Sequence, residues 1–168
     1  VENALREGWR WSDIAASLGL SKQAAHRKYA QAMRPRLERD TGAARLAVLY
    51  ARQEAAALGA PALGTEHLLL GLARLGGTRV AGVLAGLDVT GEGVRQVLAT
   101  LAPEPGGPPF TVPARAALQE ALRGRASLEP EHVLFAVLRQ DGCGALRALD
   151  AMGVEPDAVR GRFEPVAA

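Results

Sequence analysis

Cysteine occurs once in the 168 residues, at Cys143. A single thiol forms no internal disulfide and no cysteine-based metal cluster, which fits a reducing compartment. Its position, aligned with Thr78 in the repeat described below, suits a small capping or packing residue. No apolar run reaches the roughly 18 residues that a membrane helix needs, and the amino-terminal end lacks the basic-then-apolar pattern of a signal peptide. Together these absences point to the cytoplasm and away from a membrane. A phosphate-binding loop is also missing: the nearest match, Gly71 to Thr78, has Gly77 where the lysine is required. No two histidines stand at ligand spacing, neither Glu-His pair has the second histidine of a zinc-peptidase motif, and nothing assembles Ser, His and Asp as a triad. The expectation is a non-enzyme without cofactor or metal. A large charge of one sign is lacking too, but the net +2 is unevenly placed. Residues 1–40 hold eight Lys/Arg against five Asp/Glu, and residues 41–168 hold twelve against thirteen. The positive excess belongs to the amino-terminal segment.

What is present is a hydrophobic content of 48%, enough to bury a core in one compact domain with room for a small second one. The chain also repeats itself. Residues 66–98 align on residues 131–163 without a gap, with identities at Glu66/Glu131, His67/His132, Leu69/Leu134, Arg74/Arg139, Gly77/Gly142, Leu84/Leu149, Val89/Val154, Val94/Val159 and Arg95/Arg160. Matches at helix starts, turns and apolar points indicate an internal repeat. Each copy places its glutamate in the first turn of a helix, beside unsatisfied backbone N–H groups and the positive end of the helix dipole.

Residues 1–33 read as a helix-turn-helix segment. Ser12 and Ser21 are positioned to cap its two helices, and Gly19 supplies the turn between them. Trp11, Ile14, Ala15 and Leu18 form one apolar face, continued by Ala24, Ala25 and Tyr29. Lys22, Gln23, His26, Arg27 and Lys28 are left outward: Gln23 could read a base edge, while the basic residues could neutralise phosphates. The run Ser-Lys-Gln-Ala-Ala-His-Arg-Lys-Tyr resembles the helix-turn-helix segments of bacterial regulators, which implies DNA as a partner through residues 11–30 and a dimer or second module for tight binding. The alternative is a helical hairpin used for packing or dimerisation, its basic face merely solvated.

Residues 34–40 form a connector, with Pro35 ending the preceding helix. In repeat 1, residues 41–102, Thr41 can cap a helix to about Leu58. A second helix runs from Thr65 to about Leu75, a third starts at Thr78, and a fourth spans Thr90 to about Leu101. Residues 103–109, rich in Pro and Gly, are the linker, and residues 110–166 form repeat 2. The spacing from Phe110 to His132 is shorter than that from Asp40 to His67, so the second copy has a shorter first helix or loop. The fold class is all-α: a helix-turn-helix segment and two tandem four-helix repeats.

Asp40-Thr41, Gly64-Thr65-Glu66-His67-Leu68-Leu69-Leu70-Gly71-Leu72, Val80-Ala81 and Leu84 are similar to the Clp amino-terminal domain carried by the ClpA/ClpC class of ATP-driven unfoldases. The resemblance covers residues 40–164 and implies the fold of two four-helix repeats. In the ClpC branch this domain docks adaptors and recognises phosphorylated arginine. The resemblance therefore implies that Glu66 and Glu131 hold a guanidinium, with Thr65 and Thr41 as phosphoryl donors at the first site and Thr111 at the second. Pro130, standing where Thr65 stands in the first copy, offers neither hydroxyl nor N–H, so unequal sites are expected. A first-turn glutamate is also favoured by roughly 0.3–1 kcal/mol in any helix, and His67 and His132 are expected to make local hydrogen bonds.

Three functions are compatible with these features. The first is a binding module for phosphoarginine-marked proteins or adaptors, linked to a DNA-binding segment and sequestering or regulating Clp ligands. The second is a transcriptional regulator whose repeats serve only dimerisation or docking. The third is an accessory subunit that contacts a Clp unfoldase directly.

Overall fold

The structure, a computed structural model, describes Ser21, Gln23, residues 42–125 and residues 127–163. Thr41, Lys22, His26, Arg27, Lys28 and the connector at 34–40 therefore lie outside the described residues, as does the helix-turn-helix expectation apart from Gln23, which is helical and exposed, and Ser21, also exposed. From Gly42 onward the chain constitutes a compact unit of its own.

Eight helices are described in it: α1 (Ala43–Ala57), α2 (Thr65–Ala73), α3 (Arg79–Gly86) and α4 (Gly91–Leu98), then α5 (Val112–Leu122), α6 (Pro130–Leu138), α7 (Gly144–Ala151) and α8 (Pro156–Gly161). Local chemistry sets their ends. Thr78, Thr90 and Thr111 are N-caps, each side-chain oxygen accepting from the backbone N–H three residues on, at 3.2, 3.1 and 3.3 Å. Prolines stand in the first turn of α5, α6 and α8, where a missing N–H costs nothing. At the end of α1, Gly59 takes φ 66°. This lets the N–H of Ala60 reach the carbonyl of Ala55 at 2.9 Å and closes the helix in a Schellman turn. Two expected boundaries shift. Helix α1 starts at Ala43 behind Gly42, whose φ of 75° places it outside helical geometry, and α4 ends at Leu98, short of Leu101. Helix α5 has 11 residues against 15 in α1, so the shorter spacing in the second copy is taken up largely in the helix.

Helix α2 is the hub and packs against α1, α3, α4, α5, α6 and α7. Its residues 65–72 are all buried, and Leu68, Leu69, Leu70 and Leu72 are fully enclosed. Each such leucine contributes about 1.5–3 kcal/mol relative to an exposed one. The repeat is visible in contacts as well as in residues: α1 packs on α2 as α5 packs on α6, and α2 meets α7 while α6 meets α3. Arg74 reaches Glu54 of α1 at 2.7 Å, and its counterpart Arg139 reaches Glu120 of α5 at the same distance. The linker has no regular structure, but its end is fixed. Leu63 N–H donates to the Pro109 carbonyl at 3.1 Å, and Thr111 N–H donates to the Leu63 carbonyl at 3.0 Å. This short parallel bridge delivers the start of the second repeat to the start of α2.

Candidate functional site

At the N-terminus of α2 the N-cap is Gly64, which has no side chain with which to satisfy the exposed N–H groups. His67, three positions into the helix, accepts from the Gly64 N–H at Nδ1 over 3.0 Å. His132 does the same for Glu129 at 3.1 Å, so both histidines make the local bonds expected of them. Burial lowers the pKa of His67 although the charges of Glu104 and Glu54 oppose it. With Nδ1 accepting from a backbone N–H, the 3.7 Å approach to Glu66 Oε1 is no ion pair.

The Thr65 N–H is satisfied from far away in sequence. Glu104, in the linker, accepts it at Oε2 over 3.0 Å and accepts the Thr65 hydroxyl at Oε1 over 2.8 Å. The same carboxylate accepts the Thr111 hydroxyl and, at 2.7 Å, the N–H of Gly144, the first residue of α7. Thr65 Oγ1 in turn accepts from the Ala145 N–H at 3.0 Å. Three helix starts, those of α2, α5 and α7, thus converge on one carboxylate that is 4% exposed. Burial by itself would raise the pKa of Glu104, but the four hydrogen bonds outweigh it and leave the group below its ordinary value.

Glu66 lies beside this cradle. Its Oε1 accepts from the Glu104 N–H at 3.3 Å, whereas Oε2 is buried and has no partner. The carboxylate is wedged between two glycines: a Cβ at Gly64 or Gly144 would run into it. Burial raises the pKa of Glu66 and the charge of Glu104 adds to the rise, partly offset by backbone hydrogen bonds and the charge of Arg147. A cavity of about 280 Å³ opens here, with Leu58, Pro61, Leu98 and Leu101 among its apolar walls and Glu66 and Arg147 among its polar ones. Arg147 holds the Ala102 carbonyl through Nη1 at 3.1 Å, and its buried Nε also lacks a partner. Two residues that line one cavity thus each hold a buried polar atom, an acceptor and a donor, without a partner among the described residues.

The residues singled out from sequence are distributed unevenly around it. Thr65, Glu66 and Thr111 come together, and Thr111, which the repeat pattern grouped with Glu131, shares its carboxylate partner with Thr65 instead. The bridge from Leu63 to Phe110 is the reason, because it carries the start of α5 to the start of α2. Glu131 is half-buried in the first turn of α6, next to the buried Pro130. Glu104 and Arg147 were not singled out at all. The one available signal was that Glu104 is the sole charged residue among residues 103–109. Among the described residues no group of His, Cys, Asp and Glu could hold a metal ion, and no helix is long and apolar enough to cross a membrane.

The described residues 42–163 form an all-α domain of two four-helix repeats, joined through helix starts that share one carboxylate. Uncharacterised proteins of Mycobacterium tuberculosis and Mycobacterium bovis are 34% identical to this chain over 182 residues, covering 95% of it and 70% of their own length. The chloroplast chaperone protein ClpC1 of Arabidopsis thaliana is 29% identical over 175 residues, which cover 91% of this chain but 19% of the chaperone. The solved N-terminal domain of the caseinolytic protease associated chaperone ClpD from Arabidopsis thaliana superposes with a TM-score of 0.61 over 76% of this chain and 99% of that one, at 23% identity. No protein-family model matches the chain. The chain is thus related in sequence to Clp ATP-binding proteins and chaperones and carries a domain with the Clp amino-terminal fold.

Proposed function

We propose that this chain is a non-enzymatic binding module of the cytoplasm that takes arginine-derived side chains, phosphoarginine-marked proteins foremost, at Glu66. The observation that carries the reading is the buried, unpartnered Oε2 of Glu66 at the wall of the cavity. A guanidinium is the side-chain group best suited to such a carboxylate, because it brings parallel charge-assisted N–H donors. The walls formed by Leu58, Leu98 and Leu101 suit the aliphatic stem of an arginine. Arg147 would repel an unmodified guanidinium, whereas a phosphoryl group on that guanidinium supplies the acceptor that the free Nε lacks. The second copy is a poorer site, since Pro130 lacks the hydroxyl and N–H that Thr65 provides.

Calorimetric titration of phosphoarginine and of arginine tests this reading, with Glu66→Gln and Glu131→Gln measured beside the unmodified chain. Phosphoarginine binds at one principal site, arginine binds more weakly, Glu66→Gln loses about tenfold or more in affinity, and Glu131→Gln changes little. Absence of saturable binding at millimolar ligand, or full binding by Glu66→Gln, overturns the reading.

The uneven charge supports a further component of this function. With its basic excess in residues 1–40, the amino-terminal segment would bind DNA through Lys22, Gln23, His26, Arg27 and Lys28, so that ligands of the repeats regulate, or are sequestered by, a DNA-associated factor. In the alternative reading the repeats serve only as a dimerisation or docking surface for that regulator, or for a Clp unfoldase.

A further inference from the structure

We infer that Glu104 is a built-in occupant of an anion site, and that the linker carrying it must withdraw before a phosphoryl group can enter. The donors around Glu104 form the kind of set that recognises a tetrahedral oxyanion. Two N–H groups, of Thr65 and Gly144, come from the starts of two helices whose dipoles both favour negative charge, and two hydroxyls come from Thr65 and Thr111. All four are spent on one side chain from a segment that has no regular structure of its own. A carboxylate has two oxygens and a phosphoryl group three, so the set is adequate for the larger anion once Glu104 has left.

A second observation points to a ligand at the same place. The carboxylate of Glu66, with a side chain 5% exposed, lies against the start of α7 with Oε2 unpartnered, and the Nε of Arg147, within the same helix, is unpartnered as well. A helix start already closed by Glu104 thus lies against the buried Oε2 of Glu66, and both this oxygen and the Nε of Arg147 are unpartnered among the described residues. The segment is also held in a releasable way. Apart from its carboxylate, Glu104 is tied by its N–H to Glu66 and through Ala102 to Arg147, the same two side chains that an incoming ligand would recruit. Linker retention and ligand capture therefore draw on the same two side chains through different atoms, Oε1 and Nη1 for the linker and the unpartnered Oε2 and Nε for a ligand. If the closed linker is populated about 90–99% of the time, the apparent affinity of any anion for the cradle falls about 10- to 100-fold.

This inference deepens the phosphoarginine reading, yet its test uses inorganic phosphate, which has no guanidinium for Glu66. Phosphate is titrated at constant ionic strength into the whole chain and into Glu104→Ala, following the amide resonances of Thr65, Gly144 and Ala145. Glu104→Ala is expected to bind phosphate saturably at these amides, about 10- to 100-fold tighter than the unmodified chain. Thermal unfolding in phosphate against chloride gives the second readout, because an anion that refills the cradle restores a variant weakened by losing its carboxylate. A larger rise in midpoint for Glu104→Ala than for the unmodified chain supports the inference even where that variant is unstable. Equal phosphate binding by the two chains, or no rescue of Glu104→Ala by phosphate, overturns it. Phosphate binding by Glu104→Ala without any Glu66-dependent phosphoarginine binding would leave the anion cradle standing and remove the arginine reading.

Discussion

At the scale of single residues, three glutamates share a chemistry and differ in environment. Glu54 is 4% exposed and accepts Arg95 through two bonds of 2.7 and 2.8 Å and Arg74 through a third of 2.7 Å. The Arg95 bond holds its pKa down against burial, and hydrogen bonds hold Glu104 down likewise, whereas burial drives Glu66 up. The signs follow by linkage. Glu54 and Glu104 contribute stability above the ordinary carboxylate value of about 4.3, and that stability is lost as pH falls through their lowered values. Glu66 acts oppositely: its contribution is complete below the ordinary value and is withdrawn as pH rises through its raised one. Urea unfolding across pH should therefore show an acid-labile chain whose acid limb flattens in Glu104→Gln. In Glu66→Gln stability should climb more steeply with pH just above the ordinary carboxylate value. An unchanged acid limb in Glu104→Gln would contradict the assignment of its hydrogen bonds.

At the scale of elements, the joint between α1 and α2 brings two backbones into close approach. Gly71 sits where a Cβ would meet the Ala47 carbonyl oxygen and approach the Ala51 nitrogen at 2.9 Å, so backbone rather than side chain would have to move. Ala136 stands at the matching place of α6, so the α5–α6 joint accommodates a Cβ that the α1–α2 joint excludes. Gly71→Ala should cost about 3 kcal/mol or more, at the upper end of overpacking effects. Gly82→Ala, in α3 with nothing within 4 Å of the added carbon, should instead stabilise by about 0.5–1 kcal/mol. Denaturant midpoints of the two variants should move in opposite directions, and a neutral Gly71→Ala would mean that the helices do not approach as closely as described. The caps at Thr78 and Thr90 were legible in the sequence because a hydroxyl three residues before a backbone N–H acts locally. The start of α1 and the end of α4 were less so, since a helix boundary depends on how long neighbours continue to cover it.

At the scale of the whole molecule, the charge asymmetry sets the last expectation. If residues 22–28 engage DNA, affinity falls steeply with salt, with a log–log slope of about −0.9 for each phosphate neutralised. Arg27→Ala should then shallow that slope by about one phosphate's worth. Salt-dependent fluorescence anisotropy on the whole chain checks this, and a slope indifferent to the substitution would assign the basic face to plain solvation.

The sequence by itself determined the eight-helix repeat, the placing of Glu66 and Glu131 in first turns, and the histidine bonds behind them, because capping, helical periodicity and internal alignment all act within a few residues. Only the tertiary structure decided that Thr111 sits with Thr65 and that a lone linker glutamate closes the place where three helices begin. Those contacts join residues 7 to 40 positions apart, and their partner is chosen by how the two repeats pack. A buried backbone donor is paired with whichever acceptor the fold brings to it, and no local pattern records which one that will be.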